Sequence, residues 1–411
     1  MLPTIHSSRK TAAVLVAAAG TWLGGAAPLT AQAASGAASR PPSASYWVYV
    51  GAESADLLHR VRFGPDGAEV ERTIPVGEVP TEMEGPHGLA VSADGRYLHM
   101  TTGHGVPDGK YWRYELGPDT LVGPGIFLGM FPASIDVTPD GLYAFSVNFN
   151  LHGDMVPSTV SVVYTPSSTE VARVVTCVMP HGSRVDASGS FHYSACMMDD
   201  QLVEIDTRAF EVSRRFSLAK GKEGPLAAGP ADAHAAHEAR GGPPVDPAEV
   251  GYAGRRHVME PSTCSPTWAQ PSPDGGSVYV ACNKADEILE IDREAWAIQR
   301  RLKTGRGPYN VAITPDGALL LVTLKPAGQL EVFDLASGRS LARLDNSTTV
   351  AHGVAVSPDS RYAFVSSEGV GAEPGKVDVY DLKALARVAS VDVGQQASGI
   401  AFWKMEPAGG R

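Results

Sequence analysis

Residues 272–292 read SPDGGSVYVACNKADEILEID. Ser-Pro-Asp-Gly-Gly is tight-turn chemistry: proline presets one turn dihedral, and glycine takes a positive φ without steric cost. Val278 to Ala281 is an alternating β-branched and aromatic run. Asn283 to Asp286 is a polar connector, and a second alternating run ends at Ile291-Asp292. Turn residues at fixed offsets between period-2 runs predict consecutive antiparallel strands.

The unit recurs. Its turn glycine serves as a ruler at Gly95, Gly141, Gly189, Gly275 and Gly317, with Ser360 in sixth place; the spacings are 46, 48, 86, 42 and 43 residues. A period in the forties with several short strands per repeat is that of a propeller blade. An apolar strand A precedes each turn, as in Leu89–Val91, Ile135–Val137, Val311–Ile313 and Val354–Val356. Strand B follows it (Tyr97–Thr101, Val278–Ala281, Tyr362–Val365), and strand C ends in Ile-Asp or a variant at Asp206, Asp292, Asp334 and Asp381. Strand D is an outer run such as Ala297–Leu302 or Val388–Val393.

The 86-residue gap spans two periods, but residues 220–261 are rich in Gly, Pro and Ala and lack an alternating strand, so they read as a loop insertion. At the chain ends, Tyr46–Val50, Leu57–Phe63 and Glu69–Pro75 read as strands B, C and D with no A before them. Ser398–Phe402 reads as an A with no B after it. Together they complete one blade, which leaves no open sheet edge at the ring closure. The predicted fold is an all-β, seven-bladed β-propeller over 46–403, its last blade closed by N-terminal strands B, C and D plus a C-terminal strand A, with a tail at 404–411.

SPDGGSVYVACNKADEILEID, with ITPDGALLLV and VSPDSRYAFVSSEG, resembles the YVTN-type repeats of bacterial seven-bladed propellers, including surface-layer, lactonase-like and cytochrome d1-like groups. The resemblance implies the fold. It implies little about function, because the repeated residues are structural.

Arg9 and Lys10 precede an apolar run from Thr11 to Leu23, and Ala31-Gln32-Ala33 supplies small residues for cleavage, so 1–33 read as a secretory signal peptide. Residues 34–45, rich in Ala, Ser and Pro, read as a flexible lead-in. The expected product is exported, periplasmic or extracellular, and monomeric, with no membrane span in the mature chain. Losing Arg9 and Lys10 takes the formal net charge from −11 to −13. That excludes nucleic acid as a partner on electrostatic grounds.

Eight residues before the ruler lie His87, Ala133, His181, Thr267, Tyr309 and His352. Three blades thus place a Pro-His-Gly or Ala-His-Gly at one register position, and the B–C loops add His104 and His152 on the same face. Convergent imidazoles on a funnel rim suit a copper or zinc ion. The glycines would let backbone approach closely. The plainer reading is an entry turn in which each histidine hydrogen-bonds a neighbouring blade's backbone. Glu53, Glu84, Glu260 and Glu368 are loop carboxylates near the rim, and the insertion carries His234, His237 and His257, consistent with a low-complexity lid.

Cys196 and Cys282 both lie seven residues after their ruler residue; Cys177 and Cys264 lie twelve and eleven before it. The equivalence predicts disulfides Cys177–Cys196 and Cys264–Cys282, each across an A–B hairpin. The rival is thiolate ligation beside Met197 and Met198, which needs a reduced state that export disfavours. Two functions stay open. One is an exported binding or scaffold propeller presenting its loop face to a small molecule, peptide or envelope protein. The alternative is a copper- or zinc-dependent oxidoreductase or lactonase-like hydrolase using the rim histidines.

Overall fold

The turn at 272–276 is held by its own side chains. Ser272 Oγ donates to Asp274 Oδ1 at 2.5 Å and accepts from the Ser277 N–H at 3.0 Å, while Asp274 Oδ1 also accepts from the Gly276 N–H at 3.0 Å. The same hydroxyl–carboxylate pair recurs at Ser92/Asp94, Thr138/Asp140, Thr314/Asp316 and Ser357/Asp359. Gly275 has φ +73°, and Ser360 adopts φ 56° in the same place, which is why it keeps the ruler's register. Strand C ends in aspartate because that side chain caps the next turn. Asp292 Oδ1 accepts from the Ala295 N–H, and Asp206 and Asp381 each accept two such bonds. Short-range hydrogen bonding therefore sets the period.

The computed structural model describes residues 41–79, 81–105, 109–226 and 261–408. The expected signal peptide and most of the insertion, with His234, His237, His257 and Glu260, lie outside the described residues.

Seven sheets form the ring. The first blade comprises β1 (Ala44–Ala52), β2 (Leu57–Gly64) and β3 (Gly67–Pro75), closed by a strand from the other end of the chain. The second holds β4 (Pro86–Val91), β5 (Tyr97–Thr102) and β6 (Lys110–Glu115), its outer edge split into β7 (Thr120–Leu121) and β8 (Ile126–Phe127). The third is β9 (Pro132–Val137), β10 (Tyr143–Asn148), β11 (Pro157–Tyr164) and β12 (Thr169–Val178). The fourth is β13 (Pro180–Val185), β14 (Phe191–Cys196), β15 (Gln201–Asp206) and β16 (Glu211–Ser217). A fifth strand, β17 (Gly224–Leu226), joins its edge from the start of the stretch read as insertion. The fifth blade is β18 (Pro266–Pro271), β19 (Ser277–Cys282), β20 (Glu287–Asp292) and β21 (Ala297–Lys303). The sixth is β22 (Pro308–Ile313), β23 (Leu319–Leu324), β24 (Gln329–Asp334) and β25 (Arg339–Asp345). The seventh is β26 (Ala351–Val356), β27 (Tyr362–Ser367), β28 (Lys376–Asp381) and β29 (Ala386–Asp392).

β30 (Ala397–Pro407) is the A strand of the first blade, where the sheet order is β3-β2-β1-β30. The expected closure is observed. β1 begins at Ala44 and β30 runs to Pro407, so both terminal segments extend the ladder beyond the predicted strands. Aromatic rings fill the seam with the seventh blade: Tyr46 and Phe63 each lie 5.0 Å, edge-on, from Tyr362.

Both disulfides form, Cys177–Cys196 and Cys264–Cys282, and none of the described cysteines is free. The first differs from expectation. Cys177 lies in β12, the outer strand of the third blade, and Cys196 in β14 of the fourth, so the bridge staples two blades instead of one hairpin. A D strand runs directly into the next A strand, and linear spacing cannot say on which side of that junction a residue sits. Cys264 lies in the loop before β18 and bridges to β19. The bridges close loops of 19 and 18 residues, each contributing about 3 kcal/mol on the loop-entropy argument. Replacing either pair by serine is expected to lower the urea-extrapolated stability by that amount, and both pairs by about twice it. No change in the double-pair variant would contradict the assignment. Disulfides of this kind belong to an oxidising compartment. Among the described residues no helix is long and apolar enough to cross a membrane.

Candidate functional site

All seven A strands enter the ring in the same way. The residue before each is left-handed: Gly85, Phe131, Met179, Ser265, Gly307, Val350 and Gln396 have φ between 48° and 67°. Five of these carry side chains, and Val350 is β-branched, so the packed ring must hold a conformation that is locally unfavourable. A register shift follows at the start of each A–B ladder and lifts the second A-strand residue off the sheet toward the axis. Those second residues are Ser398, His87, Ala133, His181, Thr267, Tyr309 and His352.

His87, His181 and His352 come together across the ring. The His87 ring lies 6.3 Å from that of His181 and 5.5 Å from that of His352, centroid to centroid, and all three are buried. His87 Nδ1 donates to the Ala133 carbonyl of the next blade at 2.6 Å, and His181 Nδ1 to the Thr267 carbonyl at 2.9 Å. A carbonyl can only accept, so these bonds fix the proton on Nδ1 and leave Nε2 as a lone pair facing the axis. The plainer reading of the Pro-His-Gly turn is therefore observed for His87 and His181, whereas His352 Nδ1 has no hydrogen-bond partner among the described residues.

The glycines let backbone approach closely, and the backbone that approaches is the neighbouring blade's. A Cβ on Gly182 would stand 2.3 Å from the Thr267 carbonyl oxygen, and one on Gly88 3.0 Å from the Ala133 carbonyl oxygen, each on the next blade. They clear the neighbouring blade, not a ligand.

Tyr309, in the same register on the sixth blade, completes the centre. Its hydroxyl lies 2.9 Å from His181 Nε2 and 3.3 Å from His352 Nε2. The first residues after strand B surround it. Glu53 Oε2 is 3.8 Å from His87 Nε2, and Glu368 Oε1 is 3.8 Å from His352 Nε2. Lys325 Nζ pairs with Glu368 at 2.6 Å and stands 4.3 Å from the Tyr309 ring centroid.

Burial, reinforced by the Lys325 charge, pushes the His181 imidazole down to about 3. Burial and the Lys325 charge likewise hold His352 well below the usual range. Burial would raise the Glu53 carboxyl, but His87, His104 and Lys325 outweigh it and hold it low. Burial alone would lower Lys325, yet Tyr309 and Glu368 keep it raised and charged.

His104 and His152 form a separate pair, their rings 5.8 Å apart and both edge-on to Phe131, which also contacts His87. His104 Nε2 is 2.9 Å from Glu53 Oε1, and His152 is exposed. Phe131 thus separates them from the triad. Glu84 is buried but accepts the Glu78 and Val79 N–H groups of its own loop. Beneath the ring is a cavity of about 20 Å³, room for one water, bordered by His87, His352, Asn310, Trp268 and Arg184.

Among the described residues, Cys177, Cys196 and Asp199 are the one set of three possible ligands with donor atoms within 4.8 Å of one another, and the disulfide consumes it. The histidine donors stand wider, with the phenol between them. Tyr309 occupied the same ruler position as the three histidines and was legible there. Lys325 was not, because a lone loop lysine carries no pattern.

Residues 251–398 match the family described as YNCE-like beta-propeller. No protein of curated function matches the chain significantly. Many solved chains share the architecture. Among them is Kuenenia stuttgartiensis hydrazine synthase, at 18% identity and a TM-score of 0.58, the alignment covering 80% of this chain and 92% of that one. At that identity the likeness concerns the fold alone.

Proposed function

We propose that this chain is a metal-binding propeller that takes one copper or zinc ion at its axial mouth through His87, His181 and His352. The observation that carries the reading is the fixing of imidazoles through Nδ1–H to main-chain carbonyls, which turns Nε2 lone pairs inward beside buried carboxylates. Metal-ligating histidines are held by this kind of outer bond. Imidazole with carboxylate suits copper and zinc better than calcium or magnesium. Binding requires the Nε2 atoms to draw in from their present spacing.

Catalysis has less support. Glu53–His104 is a carboxylate–imidazole pair, but among the described residues no hydroxyl or thiol is hydrogen-bonded to His104. The loops around the mouth form the surface on which a small molecule, peptide or envelope protein would dock over the ion.

The test is isothermal titration of tag-free, metal-stripped protein with Cu²⁺ and Zn²⁺, checked by elemental analysis. One ion per chain is expected. His181→Ala and His352→Ala should each weaken binding about 100-fold, roughly 3 kcal/mol, while His152→Ala should change it less than about threefold. Failure of the wild-type chain to retain a stoichiometric ion would overturn the proposal.

A further inference from the structure

We infer that the axial cavity beneath the histidine ring holds a small inorganic anion of halide size, gripped by Arg184, Trp268 and Asn310. The inference is independent of any cation at the mouth. Arg184 lies on β13, Trp268 on β18 and Asn310 on β22, so the A strands of three consecutive blades deliver them to the same stretch of the channel. All three border the cavity, whose volume of about 20 Å³ suits one water or a monatomic ion better than a polyatomic anion.

Two of these side chains lack protein partners. Trp268 is 6% and Asn310 4% exposed, yet Trp268 Nε1 and Asn310 Oδ1 bond to nothing among the described residues. A buried polar atom left in that state carries its full desolvation cost, so the pair calls for an occupant. Indole and guanidinium N–H groups can only donate. The Asn310 amide donates as well after a half-turn about its last bond, because its oxygen and NH2 ends have the same shape. The occupant is therefore met by donors from three blades.

Charge separates an anion from a water. The Arg184 guanidinium lies over the Trp268 ring, 4.6 Å from its centroid, and Nη1 donates to the Ser183 carbonyl at 2.8 Å. That leaves other N–H groups of its five-donor fork for the cavity. Burial works against its charge, and the carboxylate that supports it is Asp136. Asp136 is engaged elsewhere: Oδ1 accepts from the Val137 N–H at 3.0 Å and Oδ2 from the Val185 N–H at 2.8 Å. Among the described residues no carboxylate stands within ion-pair distance of Arg184. A halide supplies the negative charge that this buried cation lacks; a water cannot.

The experiment is chloride NMR line broadening on tag-free, metal-stripped protein titrated with sodium chloride, the ionic strength held with sodium gluconate. Saturable broadening that bromide displaces is expected, and crystals grown in bromide should show an anomalous peak in the cavity. Trp268→Phe keeps a ring and drops the donor; it should weaken binding about 10-fold. Arg184→Gln should abolish the broadening and Arg184→Lys should restore part of it. Thermal melts in gluconate separate loss of the anion from loss of fold, and Trp268→Phe carries the test if Arg184→Gln does not fold. Broadening that fails to saturate, that is equal in the wild type and Trp268→Phe, or that leaves the cavity without a bromide peak would overturn the inference. Because the protein is metal-stripped, none of these results bears on the histidine site.

Discussion

Acidification from pH 7 to pH 4.5 is expected to cost this propeller about 7 kcal/mol of stability, before most carboxylates protonate. Burial pushes His99 and His192, both away from the mouth, down to about 3. In the unfolded chain each regains a value near 6.5. The sign follows from linkage: the unfolded state takes up protons below pH 6.5 and the folded state does not. Stabilisation is therefore complete above 6.5 and is lost as pH falls, by about 1.4 kcal/mol per unit per histidine. Two units give about 3 kcal/mol for each of His99, His192 and His181.

Asp199 opposes this. Burial raises it to about 6, so its folded form gains protons first and recovers about 2 kcal/mol over the same window. The net loss is comparable with the whole stability of an ordinary domain. Urea melts at pH 7, 5.5 and 4.5 read it directly. His192 offers a sharp control: its ring stacks on Phe145 at 5.1 Å, and neither nitrogen has a partner among the described residues. His192→Phe should remove about 3 kcal/mol of the pH dependence and cost little at pH 7. A stability that stays flat from pH 7 to 5 would contradict the argument.

Deleting residues 397–411 is expected to abolish folding. β30 pairs with β1 from Ala44 opposite Pro407 to Ala52 opposite Ala397. It also ties both neighbours: Ser398 Oγ donates to the Pro86 carbonyl at 2.8 Å, Ser366 Oγ to the Ser398 carbonyl at 2.5 Å, and Trp403 Nε1 to the Gly95 carbonyl at 3.0 Å. Without it, β1 presents an unpaired inner edge bearing Val48, Tyr49 and Val50, all fully buried in the intact ring. The loss of a full strand ladder and its burial exceeds about 10 kcal/mol, more than the margin of most domains. The truncated chain should aggregate through the open edge. A soluble 1–396 chain with a cooperative melt would show that the ring does not depend on its closure.

The blade count, the turns and the closure were legible in the chain because they rest on short-range chemistry. Ser272, Asp274 and Gly275 bond to one another within five residues, and Asp292 caps a turn three residues on. The register position shared by His87, His181, Tyr309 and His352 was legible for the same reason. What the register could not rank was Tyr309 against the loop histidines. His104 and His152 lie outside the triad because Phe131, left-handed at the mouth of β9, places its ring between them.

The seven left-handed entry residues were hidden because five are not glycine, and their conformation is imposed by packing rather than by propensity. The Cys177–Cys196 partnership was readable from spacing, but its crossing of a blade boundary was not. By itself the sequence determined seven four-stranded units, their closure and a ring of axial positions, since each follows from contacts a few residues long. Only the tertiary structure decided which side chains meet on the axis. Residues as far apart as Glu53, His181 and Lys325 become neighbours when the ring closes, and no local pattern records that distance.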